Sequence, residues 1–243
     1  MVTVSREYVD VPVGGLAMRT FVAAPTTPGP HPGIVFYSDI FQLTESTLRW
    51  CVRLAGYGFT VAAPEIYHRL EPAGTVLDFD DAGKARGQRD ADSTPVADFD
   101  ADIAAALDWL ETRGAPIGAA GHCTGGHLAF RAAFDPRVRA TACWYPTGLD
   151  DGKLGADRDA GSLARAGEIG GELLLVFGAR DPHTPPAARD AVRRGVAGLR
   201  ATWLEFDAEH AFGRDVGPRF DPEATDQAFA ATVSFFRRAL TAG

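Results

Sequence analysis

Short apolar runs and stretches of helical period alternate along the chain. Tyr8–Val13 and Leu16–Ala24 are β-like and are joined by Gly14-Gly15, which predicts an antiparallel hairpin. The run PTTPGPHPG at 25–33 is a loop. Ile34–Tyr37 reads as a buried strand. In Thr44–Tyr57, Leu48, Cys51, Val52 and Ala55 fall on one side of a helix, with Gly56 and Gly58 as its stop. Phe59–Ala63 is another apolar run, ended by Pro64. Phe99, Ile103, Ala106, Leu107 and Leu110 repeat on one face and predict a helix over Phe99–Thr112. Pro116–Ala120, Val138–Tyr145, Glu172–Phe177 and Ala201–Phe206 read as strands. Pro186–Gly198 and Pro222–Leu240 read as helices. This alternation predicts one α/β domain over residues 1–243, with a mostly parallel, doubly wound sheet flanked by helices. Residues 65–98 are polar and Gly-rich. They are too long for a plain connector, so they are expected to form a lid-like excursion with short helices of its own.

Composition narrows the function classes. The 243 residues are 46% hydrophobic, enough for a sizeable core. The formal net charge of −8 argues against nucleic acid and against a polybasic membrane contact. No apolar run is long enough to span a bilayer. MVTVSREYVD lacks the basic stretch and apolar core of a signal peptide, so a soluble cytoplasmic protein is expected. Cys51, Cys123 and Cys143 are odd in number and lack CxxC spacing, which fits neither a disulfide framework nor a zinc ribbon. No dinucleotide-type Gly loop precedes a helix, so no organic cofactor is expected.

The chemistry concentrates at 121–126, Gly-His-Cys-Thr-Gly-Gly. This is the strand–turn–helix pattern Gly-x-nucleophile-x-Gly, with Cys123 at the nucleophile position. The turn is sharp, so the residues two before and two after the nucleophile must be small. The following helix aims its N-terminus at the thiol, which favours a thiolate and a developing oxyanion. The backbone N–H of Thr124 is the expected first oxyanion donor. A buried core cysteine is the bland alternative, and it is the assignment given to Cys51 and Cys143, which sit inside apolar patterns. A metal held by His122, Cys123 and His127 is the other alternative. It is geometrically awkward, because His122 and His127 leave the elbow in different directions.

In this fold an acid and then a histidine follow the nucleophile. Asp181 comes directly after the apolar run LLLVFGA, and His210 follows TWLEFDA. Both stand at carboxyl ends of strands, where an open α/β sheet places its site. His210 is therefore the expected base and Asp181 its orienting acid. His183 competes for the base and Asp207 for the acid, and both are read as loop residues. His31 and His68 are read as surface histidines. Trp144 and Tyr145 either line an apolar pocket or belong to the core.

Taken together, G-H-C-T-G-G at 121–126, G-A-R-D at 178–181 and H-A-F-G-R at 210–214 resemble the dienelactone hydrolases (carboxymethylenebutenolidases), cysteine members of the α/β-hydrolase fold. GTVLD at 74–78 is similar to the family's segment after its second core strand. The resemblance runs from about Gly33 to the final helix. It implies an acid-Ile-Phe triplet at Asp39-Ile40-Phe41, where the family usually carries Glu, with that acid holding or removing the thiol proton. It implies the Ile40 N–H as second oxyanion donor, and Arg86 and Arg214 as the pair that holds a substrate carboxylate, with Arg89 as the rival of Arg86. It also implies a monomer acting on a small anionic lactone, without metal. A general esterase or thioesterase for neutral esters, and a non-catalytic binding protein on the same fold, are the alternatives.

Overall fold

The computed structural model describes residues 2–157 and 159–241. Among the described residues there are eight strands and six α-helices: β1 Val4–Val13, β2 Leu16–Pro25, β3 Gly33–Tyr37, α1 Glu45–Gly56, β4 Thr60–Pro64, α2 Asp81–Ser93, α3 Val96–Glu111, β5 Ile117–His122, α4 Thr124–Ala132, β6 Val138–Trp144, β7 Glu172–Gly178, α5 Pro186–Gly195, β8 Ala201–Phe206 and α6 Pro222–Thr241. They form one sheet in the order β1-β2-β4-β3-β5-β6-β7-β8. The β1–β2 and β2–β4 pairs are antiparallel, and every other pair is parallel.

The central strands are buried on both faces, so they read as continuous apolar runs, yet the period of two still sorts their side chains. In β3, Val35 and Tyr37 join one core cluster, while Ile34 and Phe36 join the other. In β7, Leu173, Leu175 and Phe177 face the first cluster, and Leu174 and Val176 the second. The first cluster is closed by apolar faces of α3, α4 and α5, the second by α1 and α6. Cys51 and Cys143 are fully buried there, and burial pushes both thiols up, away from the thiolate.

Helix limits follow local chemistry. Thr44 caps α1, its hydroxyl accepting from the Thr47 N–H. α3 starts at Val96, three residues before the predicted Phe99, because Pro95 already sets a helix-entry conformation. The 65–98 excursion starts in the core and then borders a cleft, where Phe79, Asp80, Asp81 and Lys84 line it. Glu65, Ile66 and Tyr67 are buried, and the segment carries one regular helix, α2, capped by the Asp80 side chain.

Candidate active site

Cys123 sits between β5 and α4 with φ 57° and ψ −122°. That left-handed backbone is costly for a residue with a Cβ, on the order of 1–3 kcal/mol. It is over-determined by its surroundings. The Cys123 N–H donates to Trp144 O at 3.0 Å, and Cys123 O accepts from Gly126 N–H at 2.9 Å. A Cβ at Gly121 would collide with the Gly125 carbonyl, and one at Gly125 with the Tyr37 carbonyl. Glycine is therefore obligatory at both positions, and the turn projects the Cys123 side chain into a cleft of about 630 Å³.

Asp181, after β7, and His210, after β8, meet at the same end of the sheet. His210 Nδ1 lies 2.7 Å from Asp181 Oδ2. The Asp181 carboxylate is buried and also accepts the His183 N–H at 2.7 Å. Cys123 acts electrostatically on the same imidazole. Burial alone would push this imidazole down. Attraction to Cys123 and the hydrogen bond to Asp181 outweigh it and raise its pKa to about 9. For Asp181, burial raises and the His210 contacts lower, and the net effect holds the carboxyl below its ordinary range. The site therefore gathers a cysteine, an imidazole and a buried carboxylate at one end of the sheet.

Asp39 and Ile40 follow β3 and line the same cleft, as does Thr124. Among the described residues, the backbone N–H groups of Ile40 and Thr124 donate to no acceptor of the protein. Asp39 accepts the Phe41 N–H at 3.0 Å and lies 3.5 Å from Arg214 Nη1. Burial pushes its carboxyl up, against the pull of Arg214 and the Phe41 N–H. Its contacts are thus Phe41 and Arg214, and the thiol is not among them. Arg214 stacks over Phe79 at 4.3 Å, and its Nε is buried with no acceptor among the described residues.

The model of the dienelactone hydrolase family matches residues 18–240. A Saccharomyces cerevisiae protein provisionally named a carboxymethylenebutenolidase is 35% identical over 242 residues, covering 93% of this chain and 88% of its own. The chain belongs to the dienelactone hydrolase family. It is a carboxylic-ester hydrolase on the α/β-hydrolase fold. Two solved structures share that fold. One is a provisionally named dienelactone hydrolase from Klebsiella pneumoniae, with TM-score 0.84, 22% identity, and 97% of this chain and 99% of that one covered. The other is a dienelactone hydrolase-like promiscuous phosphotriesterase from metagenomic libraries, with TM-score 0.79, 22% identity, and 98% and 99% covered.

Within this family member, several expected residues stand elsewhere. Arg86 is on the outward side of α2 and grips Glu71 with two hydrogen bonds of 2.6 and 2.5 Å, outside the cleft lining. Arg89, its rival, is exposed and also outside it. The α2 cation that reaches the cleft is Lys84. Trp144 and Tyr145 are core aromatics, each 1% exposed, and form part of a ring cluster around His122. Tyr145 still touches the site from behind, with its ring 5.2 Å from that of His210. His122 is caged by Phe36, Trp50, Trp144 and Tyr145, and burial drops its pKa to about 3. His127 bonds to Thr147 O and Ser162 Oγ, so it does not converge with His122 on an ion.

Three further histidine and acid readings are settled by position. His183 is not a plain loop residue: its ring lies 4.5 Å from that of His210 and lines the cleft. His68 is not at the surface, since its ring is buried against Asp102 at 3.1 Å. Asp207 is exposed and pairs with Arg180. Sequence reasoning missed Thr147, whose hydroxyl is 4.0 Å from Cys123 Sγ. No local pattern marks it, because its place depends on where β6 ends relative to the elbow.

Proposed function

We propose that this hydrolase opens a small enol lactone, or cleaves an equally activated ester, through a thioester on Cys123. The observation that carries this reading is the Cys123–His210–Asp181 chain at a strained elbow, facing two unbonded amides. The thiolate adds to the carbonyl carbon, and the oxyanion is met by the N–H groups of Ile40 and Thr124. Collapse breaks the ring C–O bond, and the departing enolate oxygen takes the His210 proton. Water then gives a proton to His210 as it adds to the thioester, the C–S bond breaks, and the acid leaves. Asp181 holds the imidazole in one tautomer and supports its charge throughout. An enolate leaves without strong protonation, which suits a thiolate; an amine does not, so peptide cleavage is disfavoured. No cofactor enters any step. The enzyme acts as a cytoplasmic monomer.

Arg214, with its unengaged Nε, supports a substrate carboxylate. A second reading, a neutral ester, is favoured by a different observation. Arg86 is committed to Glu71, and Asp80, Asp81, Asp150 and Asp151 line the cleft. Steady-state ring opening of an unsubstituted dienelactone and of its methyl ester separates the two. The account predicts a kcat/KM about tenfold higher for the carboxylate form. It also predicts no turnover of either by the Cys123→Ala variant. A preference for the methyl ester transfers the assignment to neutral substrates. Persistent turnover by the variant removes Cys123 from the chemistry.

A further inference from the structure

We propose that His127 is a positioning residue for the cysteine chemistry, acting through Thr147 to hold a hydroxyl against the sulfur of Cys123. The inference rests on the reading of Cys123 as nucleophile. Its basis is a hydrogen-bonded chain whose direction is fixed from Arg131 through Ser162 and His127 to the Thr147 carbonyl. His127 Nδ1 lies 2.9 Å from Thr147 O. A carbonyl oxygen only accepts, so Nδ1 carries the proton. In the neutral ring Nε2 is then an acceptor, and Ser162, 2.7 Å away, donates to it. Ser162 Oγ in turn accepts from Arg131 Nη1 at 2.9 Å. Arg131 is itself clamped by Asp100 at 2.7 and 2.6 Å and by Ala160 O at 2.9 Å. His127, Arg131 and Ser162 are all buried.

The far end of this chain is the reacting atom. Thr147 Oγ1 lies 4.0 Å from Cys123 Sγ, within reach of a hydrogen bond to sulfur, and Thr147 N–H points at Cys123 O at 3.4 Å. His127 sits one turn into α4, and its own N–H donates to Cys123 O at 3.3 Å. The same histidine therefore ties the elbow to the loop that follows β6. That loop begins at Tyr145 in a left-handed conformation, φ 36°, which is held only by what it is bonded to. Burial is the main reason that His127 stays neutral, with a pKa near 4, and Arg131 adds to it. It cannot serve as a base, because both of its nitrogens are engaged. The titratable groups facing the sulfur are His210, Tyr67 and Tyr145. Those facing His127 are Arg131 and Asp151.

A hydroxyl donating to Sγ favours the thiolate, so its loss moves thiol reactivity to higher pH. The test is the rate of iodoacetamide modification of Cys123 in the full chain from about pH 5 to about pH 9, read by intact mass. Cys51 and Cys143 are fully buried and stay silent. Thr147→Val and His127→Gln are expected to slow modification about three- to tenfold at neutral pH and to shift the profile upward. Thr147→Ser keeps the hydroxyl, and His127→Asn keeps a donor near the place of Nδ1; both are expected to stay within about twofold of the parent. A Thr147→Val profile that superimposes on the parent overturns the proposal, as does His127→Asn as slow as His127→Gln. If the buried His127 variants lose their cooperative thermal transition, the Thr147 pair decides alone. The nucleophile reading fails separately, by hydrolysis that survives Cys123→Ala.

Discussion

One side of the cleft consists of strand ends: Cys123 after β5, Thr147 after β6 and His210 after β8, with Asp181 after β7 buried against His210. The opposite side consists of the start of α2 and the loop around 150–153, where Asp80, Asp81, Lys84, Asp150, Asp151 and Lys153 are exposed. On the strand-end side Asp181 and His210 are buried and bonded to each other. Among the described residues, the non-glycine positions with positive φ are Gln42, Cys123, Tyr145 and Ala211; Cys123 and Tyr145 directly follow strands, Ala211 follows His210, and Gln42 lies in the loop between β3 and α1. Strain of that kind persists only where the packing around it leaves no alternative. The exposed side has no such constraint, and its charges are screened by solvent. The candidate catalytic groups are thus held by the sheet, and the charges facing them stand on exposed segments.

The comparison breaks if a change on the strand-end side is mild. Asp181→Asn should leave the fold intact and lower kcat by roughly 10³–10⁴-fold, since the amide favours the wrong His210 tautomer, while KM moves little. A loss below about tenfold would mean that His210 is oriented by something else, with His183 the nearest candidate. The two arginines sharpen the contrast with smaller effects. Arg214→Leu should raise KM for a carboxylate-bearing substrate about tenfold, whereas Arg86→Ala should stay within about twofold of the parent. Equal effects in the two variants would bring the second cation back onto α2.

What was legible in the sequence divides along the same line. The elbow needs glycines at fixed offsets, and the acid and base need strand ends, so Cys123, Asp181 and His210 leave local marks in the chain. Asp39 and Ile40 were found through the resemblance to the family's acid-Ile-Phe triplet and not from a local mark of their own. Arg86 was misplaced because the resemblance carries over spacing and not rotation: two positions along α2 separate Arg86, which faces Glu71, from Lys84 and Gln88, which line the cleft. Trp144 and Tyr145 were ambiguous because a strand end adjoins both core and site, and the tilt of the last peptides decides between them. His68, His183 and Thr147 acquire their roles from contacts across the fold, with Asp102, His210 and Cys123 respectively, and no single-chain pattern encodes those.

The central claim is a covalent intermediate on Cys123. The direct measurement is rapid acid quench during turnover of an activated ester, followed by intact mass and mapping of the Cys123 peptide. The account predicts an acyl adduct on that peptide, formed faster than steady-state turnover and absent in Cys123→Ala. Turnover with no adduct at Cys123, or an adduct carried by another residue, would contradict it.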